Sequence, residues 1–428
     1  MTAMVEASAP HTALARSPRT PRSFGQQVIG PIVAEFCLRL SNLTALVDHP
    51  DDTALLFCAR GGLRMQMAYE RFLEAADLES RPLIAPLMVS RLVAMRAAVA
   101  PPLARGDRAF GPAATATLHY EFTRLSLPTA ILAISGVHID EATPTPATPA
   151  AIAEFLQSGA GAEAKAMIIE QAALFAEHFD TARDGRSQVT LVDTGLYGTT
   201  GQLLAEAFPA ATISTALIAR TYRPLLGAPD VPALGLSVQA DGYDGLRRRT
   251  ALLRYWHFVE WLFEPPLKSV KRFERTEAGS IRSNLEVDGW RDLVDDGEHD
   301  SVWSGCLAYL DTLSPGPAAT VVHDADRAWS AYRRAVVWPT PADARALAVG
   351  DRSHDFGRDE TWSARTWRGP VSALRGSTMW REGEIAASGT PLRLPLLAVI
   401  EAAYAARRIG RRLRAALTRT KRQQKDAR

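Results

Sequence analysis

Residues 193–201 gather one acid, three threonines and three glycines into nine positions. They sit inside the stretch 188–208, QVTLVDTGLYGTTGQLLAEAF. Asp193 closes an apolar run of strand character, Val189-Thr190-Leu191-Val192. Thr194, Gly195, Gly198, Thr199, Thr200 and Gly201 follow it, with Tyr197 between them. From Gln202 the spacing turns helical, with Leu203, Leu204, Ala207 and Phe208 able to share one face. A strand, a glycine-rich turn and a helix N-terminus make an anion site, because the first-turn amides point outward unpaired and the helix dipole favours negative charge there. Glycine lets backbone approach a ligand closely, and threonine hydroxyls add donors. An acid at the strand end suits sugar hydroxyls or a metal. The chemistry expected is therefore recognition of phosphate, sugar and Mg²⁺.

Neither common phosphate motif is present. The P-loop requires Lys after its last glycine, where this chain has Gln202, and Gly195, Gly198 and Gly201 are spaced three apart rather than as G-x-G-x-x-G. A second unit of the same kind lies upstream. Asp52-Thr53-Ala54-Leu55-Leu56-Phe57-Cys58 reads as a strand, Ala59-Arg60-Gly61-Gly62 as a sharp turn carrying a cation, and Leu63–Ala76 as a helix. Leu87-Met88-Val89 is a further apolar run, closed by Ser90-Arg91.

These loops need elements to hold them. Ile32, Val33, Phe36, Leu40, Leu43 and Leu46 recur at helix spacing after Gly30-Pro31. Thr148-Pro149 pairs an N-cap with proline at the first helical position, which predicts helices over 149–158 and 161–180. Ile213–Arg220 and Ala233–Val238 read as strands. Strands alternating with helices predict an α/β fold, a parallel sheet flanked by helices. The Arg60 and Asp193 loops would then share the C-terminal edge of that sheet, where ligands bind. Beyond Arg247 an aromatic helix is expected over Ala251–Phe263, with Tyr255, Trp256 and Trp261 read as core. Glu264-Pro265-Pro266 ends it, Lys268–Val287 reads as a hairpin, and 298–350 as helices. Residues 350–390, with Trp362, Trp367 and Trp380, read as an irregular cap.

The 428 residues divide into an unstructured segment at 1–24, an α/β domain at 25–275, a mostly helical cap and acceptor region at 276–390, and a helix with a basic tail at 391–428. Apolar residues make up 47% of the chain, enough for a sizeable core. The three scattered cysteines, Cys37, Cys58 and Cys306, fit neither a disulfide framework nor a zinc site and point to a reducing compartment. With no apolar run near the roughly 20 residues of a membrane span, a cytoplasmic protein is expected. His119, His138 and His257 show no metal-ligand spacing, so any metal would be Mg²⁺ carried in by a diphosphate.

The order of these motifs resembles the type I phosphoribosyltransferases, whose substrate is phosphoribosyl diphosphate (PRPP). More closely, the series Gly30-Pro31 with Phe36, LLFCARGG, Val89-Ser90-Arg91, LVDTGLYGTTGQLL, and Glu264-Pro265-Pro266 with Ser269 looks like the phosphoribosyltransferase-like module of bacterial surface-polysaccharide biosynthesis. That module is often fused to a phosphatase of the haloacid dehalogenase (HAD) superfamily. The chain departs from the pattern at two places, with Thr194 where a second acid is usual and Gly61 where the family carries Asp. The resemblance implies a type I phosphoribosyltransferase-like fold with an α-rich C-terminal cap. It also implies transfer of 5-phosphoribosyl from PRPP to a hydroxyl of a glycan or glycolipid, with Mg²⁺ and release of diphosphate. Asp193 and Arg60 would be catalytic. Arg60, Gly61 and Gly62 would hold the diphosphate, and Tyr197, Gly198, Thr199, Thr200 and Gly201 the 5-phosphate, with Thr194 and Gly195 beside them. Ser90, Arg91, Glu264 and Lys268 form a second tier of candidates. Asp324-Ala325-Asp326 reads as a helix start rather than a phosphatase motif, so a partner phosphatase would be a separate chain. Two alternatives stand beside this reading: a non-catalytic phosphosugar or nucleotide-binding regulator, and a nucleobase phosphoribosyltransferase.

The net charge of +2 conceals a basic tail. From Arg407 to Lys425 there are nine Lys and Arg residues, behind a helical stripe of Leu396, Val399, Ile400, Ala403 and Tyr404 that is expected to pack on the body. Such a tail suits attachment to anionic lipid through charge. The acidic body and the absence of interleaved aromatics argue against nucleic acid.

Overall fold

A computed structural model describes residues 20–140, 145–221, 231–295, 299–350 and 378–426 (backbone alone beyond 410), with isolated positions between 351 and 377. Its centre is a sheet of five parallel strands: β1 (Thr53–Cys58), β2 (Leu83–Leu87), β3 (Gln188–Asp193), β4 (Thr212–Arg220) and β5 (Ala233–Gln239). They lie in the order β2-β1-β3-β4-β5. Interior parallel strands are covered on both faces and read as continuous apolar runs. Accordingly β1 is TALLFC, with all six residues buried. Pro86, which cannot donate a ladder hydrogen bond, lies in β2 at the edge of the sheet.

The helices follow in chain order. α1 (Pro21–Ala45), α2 (Gly61–Ala76), α3 (Arg91–Arg105), α4 (Pro112–Phe122), α5 (Leu127–Ser135), α6 (Pro149–Gln157), α7 (Ala162–Arg183) and α8 (Thr199–Ala207) come before β4. After β5 come a 3₁₀ segment (Arg248–Arg254), α9 (Trp256–Phe263), a short antiparallel hairpin of β6 (Phe273–Arg275) and β7 (Ile281–Ser283), then α10 (Val302–Leu310), α11 (Ala318–Val337) and α12 (Pro341–Ala346). The described chain ends with α13 (Arg381–Ala387) and α14 (Arg393–Asp426).

The period-2 alternation of the strands sorts these helices into two layers. Leu55 and Phe57 of β1 face one core, built with α1, α2, α9, α10 and α11. Ala54, Leu56 and Cys58 face the other, built with α3 to α8 and the hairpin. The molecule is thus an α/β protein with an open parallel sheet between helical layers.

Several sequence expectations change here. The chain is already helical at Pro21–Phe24, and Phe24 is fully buried, so the unstructured segment does not reach residue 24; residues 1–19 lie outside the described ones. α1 is long and apolar enough to cross a membrane by length and composition, contrary to the sequence reading, yet most of it is buried against α10 and α11. The helix expected from Ala251 begins at Trp256, because Arg248–Arg254 winds as 3₁₀. The helix expected from Gln202 begins at Thr199. Asp324-Ala325-Asp326 lies within α11, where Asp324 accepts from Tyr309 and Asp326 pairs with Arg248. Trp362 pairs within a two-residue ladder, Trp380 stacks on Tyr255, and Trp367 lies outside the described residues.

The late helices are fixed to the first by a buried carboxylate. Glu35 on α1 is 2% exposed and takes both Arg249 guanidinium nitrogens, at 2.6 and 2.7 Å, together with Trp329 Nε1 at 2.8 Å and Arg39. Burial pushes its pKa up, but the hydrogen bonds from Arg249 and Trp329 and the Arg249 charge outweigh this and leave it below the ordinary value.

Candidate functional site

The strand order places a topological switch between β1 and β3. The chain leaves β1 toward β2 on one side, and β3 is added on the other. Loops that diverge from adjacent strand ends leave a crevice between them, the usual ligand position in open α/β sheets. A cleft of about 280 Å³ lies there. Small-molecule sites run from roughly 300 to 1,000 Å³, so this one suits a phosphosugar better than a dinucleotide.

The floor comes from the two strand ends. Cys58 ends β1 and Ala59, Arg60 and Gly61 follow it; Asp193 ends β3 and Thr194 to Thr200 follow it. The Ala59–Arg60 peptide is cis. Gly198 has φ +68°, a left-handed conformation that glycine adopts without penalty, and it turns the chain into α8. The amides of Thr199, Thr200 and Gly201 are first-turn amides, which have no partner within a helix. Asp193 accepts from the Gly195 amide at 3.3 Å and the Thr194 hydroxyl at 3.4 Å. Burial pushes its pKa up, against the opposing pull of those bonds and of the Arg91 charge.

The walls come from three helices. α3 presents Ser90 and Arg91: the Ser90 hydroxyl caps the helix at Val93 and donates to the Val270 carbonyl at 2.6 Å. Arg91 donates to Glu121 at 2.9 Å. α4 adds Thr117, Tyr120 and Glu121. α9 and its C-terminus add Trp256, Glu260 and Glu264, spaced four apart and therefore on one helix face. Arg60 is held on this wall, 2.9 Å from the Leu267 carbonyl and 3.4 Å from Glu264.

Most of the sequence candidates meet here: Asp193, Arg60, Gly61, Thr194, Gly195, Tyr197, Gly198, Thr199, Thr200, Ser90, Arg91 and Glu264 all line the cleft. Three do not. A Cβ on Gly62 would stand 2.6 Å from the carbonyl carbon of Phe57, so this glycine seats α2 against β1. A Cβ on Gly201 would stand 2.3 Å from Thr215 Oγ1, so it seats α8 against β4. Lys268 is exposed and lies outside the lining. Among the described residues the lining ends at Ser269, and much of the region expected to cap the site, between 351 and 377, lies outside them. Sequence reasoning missed Thr117, Tyr120, Glu121 and Glu260; Trp256 is buried in the core as read, and it borders the cleft as well. The four-residue spacing of Trp256, Glu260 and Glu264 was the available signal. Gly61 and Thr194, the two departures from the familiar motif pattern, are neighbours: a Cβ at 61 would lie 3.0 Å from Thr194 Cγ2.

The charges of the cleft set what it can hold. Two cations, Arg60 and Arg91, face four carboxylates, Asp193, Glu121, Glu260 and Glu264. A polyphosphate would need a divalent cation to enter such a site. Among the described residues no three His, Cys, Asp or Glu side chains gather as a metal cage. Mg²⁺ on a diphosphate keeps several waters and needs only one or two protein carboxylates, which Asp193 and its neighbours can supply.

Fold and site together define an α/β protein with a cleft at the switch point of its parallel sheet, floored by two strand-to-helix loops. No protein-family model matches the chain, and no curated protein matches it.

Proposed function

We propose that this cleft binds PRPP with Mg²⁺ and transfers its 5-phosphoribosyl group to a hydroxyl of a glycan or glycolipid acceptor, as in the assembly of surface polysaccharides. The observation that carries the reading is the pair of glycine-bearing strand-to-helix loops on adjacent strands, opening on one cleft with Asp193 between them. One loop, Tyr197–Thr200 at the α8 N-terminus, suits the 5-phosphate; the other, Ala59–Gly61 at the α2 N-terminus, suits the diphosphate. The motif series of the resembling family supports the same assignment.

In this reading the C1–O bond to diphosphate breaks as the acceptor oxygen bonds to C1. Positive charge develops on the ribose and negative charge on the diphosphate. Asp193 holds ring hydroxyls and stabilises the cationic sugar. Arg60 and the first amides of α2 receive the leaving group; Asp193 and a neighbouring carboxylate would hold Mg²⁺, which would supply charge neutralisation there. The acceptor hydroxyl must lose a proton, and Glu121, Glu260 and Glu264 are the wall carboxylates able to take it. A separate HAD-type phosphatase would then remove the 5-phosphate.

Calorimetry with PRPP and Mg²⁺, followed by diphosphate release in the presence of lipid-linked glycans, tests the reading. Asp193→Asn is expected to hold PRPP within about tenfold while losing turnover, because its charge acts on the transition state. Binding without diphosphate release under any acceptor would favour a regulator on the same fold. Absence of PRPP binding would overturn the proposal.

A further inference from the structure

We propose that α14 docks the protein on an anionic lipid surface by burying a second apolar stripe, distinct from the one that holds this helix to the body. The body-facing side is fully engaged. Leu397 and Ile400 are buried with Ile385, and Tyr404 meets Tyr243 edge-on at 5.8 Å. Glu401 accepts from the Tyr243 hydroxyl at 2.6 Å, and Arg408 pairs with Asp244. The sequence expectation that the apolar stripe packs inward therefore holds for Ile400 and Tyr404, while Val399 points away.

Half a turn around, Leu392, Pro395, Val399, Ala402, Ala406 and Ile409 are all exposed, with Leu392, Val399 and Ile409 each about 60% so. Their spacing of three and four makes one continuous apolar face. Pro395 belongs to the first turn, where its missing N–H costs no intrahelical bond. The sequence continues the spacing at Leu413 and Ala416, and the helical backbone runs on to Asp426. The helix is 34 residues, about 51 Å long. Nine Lys and Arg residues fall at other positions of the repeat from Arg407 to Lys425, and Asp426 is the sole acid after Glu401. An apolar face flanked by lysine and arginine is the pattern of helices that lie in a membrane interface.

The loop that Arg408 grips through Asp244 carries the same residue types: Leu246, 83% exposed, followed by exposed Arg247. The charge also selects the occupant. The stripe has the spacing of a coiled-coil seam, but a parallel second copy would set nine bases beside nine bases, with no acids at the flanks to relieve them. An anionic lipid surface satisfies both, its acyl boundary the stripe and its headgroups the basic flanks. Among the described residues α14 contributes nothing to the lining of the switch-point cleft.

The test uses the full chain with vesicles of phosphatidylcholine alone and of phosphatidylcholine mixed with phosphatidylglycerol. The wild type is expected to co-sediment with the anionic vesicles only. Part of that binding should survive about 1 M salt, where the screening length is only about 3 Å, because buried apolar surface is not screened. Val399→Glu with Ile409→Glu, both at exposed positions, should keep the wild-type unfolding temperature and lose binding by about tenfold or more. Undiminished binding by that folded variant would overturn the proposal, as would equal binding to neutral vesicles. Sedimentation equilibrium supplies the remaining control: a wild-type dimer that the same substitutions dissociate would assign the stripe to a second copy and overturn lipid docking.

Discussion

Replacing Gly201 by alanine should change sign in its effect when Thr215 is replaced as well. Gly201 is the third residue of α8, and its missing Cβ would stand 2.3 Å from Thr215 Oγ1 and 3.6 Å from Leu191 Cδ1. Alanine gains up to about 1 kcal/mol of helix propensity over glycine. The forced separation of α8 from β4 costs about 1–3 kcal/mol, as overpacking in a tight core does. Gly201→Ala alone should therefore destabilise by about 1–2 kcal/mol. Thr215 Oγ1 is buried without a hydrogen-bond partner among the described residues, so Thr215→Ala relieves an unsatisfied hydroxyl while losing one methyl of burial, worth about 0.8 kcal/mol. That variant should be close to neutral. In its background the clash is gone and Gly201→Ala should stabilise by as much as about 1 kcal/mol, a coupling near 2 kcal/mol between residues in contact. Urea unfolding followed by tryptophan fluorescence measures all four corners of the cycle. If Gly201→Ala destabilises equally in both backgrounds, the spacer role of this glycine is wrong, and its place in the phosphate loop must be reconsidered.

Two further expectations concern the buried ion pairs. Arg254 is 2% exposed, pairs with Glu382 and Glu401, and lies over the rings of Tyr243 and Tyr404. Arg254→Met should cost about 3–5 kcal/mol by stranding Glu382, and limited proteolysis should then release α14 before the sheet opens. Glu35 titrates below the ordinary carboxylate value, so its contribution is complete above that value and is lost as pH falls through the lowered one. Glu35→Gln should be less stable than wild type at neutral pH, and the difference in urea midpoint should shrink on acidification below about pH 4.

The parallel sheet was legible because its strands are short, apolar and punctuated. TALLFC before Arg60-Gly61-Gly62 and QVTLVD before the glycine-threonine run state their own ends. The Thr148-Pro149 helix start was equally direct: its side chain accepts from Ala151 at 3.1 Å. Residues 100–150 gave no assignment, yet hold α4 and α5, because Ala- and Pro-rich helices carry little apolar periodicity to read. The floor of the cleft was legible because glycine and acid at a strand end announce a turn that binds something. Its walls were not: Glu121 and Glu260 are ordinary helix-surface residues until α4 and α9 are brought to the same crevice. Gly62 and Gly201 have a second role that the sequence does not announce. Both belong to loops that look ligand-facing in sequence, but their missing side chains make room for protein.

The hydrogen bond from Trp329 to Glu35 joins residues 294 apart in the chain. At about 5–20 residues per second, a ribosome adds that interval in about 15–60 s. During all of it, Ile32, Val33, Phe36 and Leu40 of α1 await the helices that finally cover them. The opposite layer gains α3 to α7 between β2 and β3 and α8 directly after β3, and the hairpin completes it. During synthesis the side of α1 that meets α10 and α11 is therefore the last of this core to be covered, after α2, the sheet and α9 have packed on it. Truncation upstream of Val302 would remove α10 and α11 and leave uncovered the side of α1 that they bury.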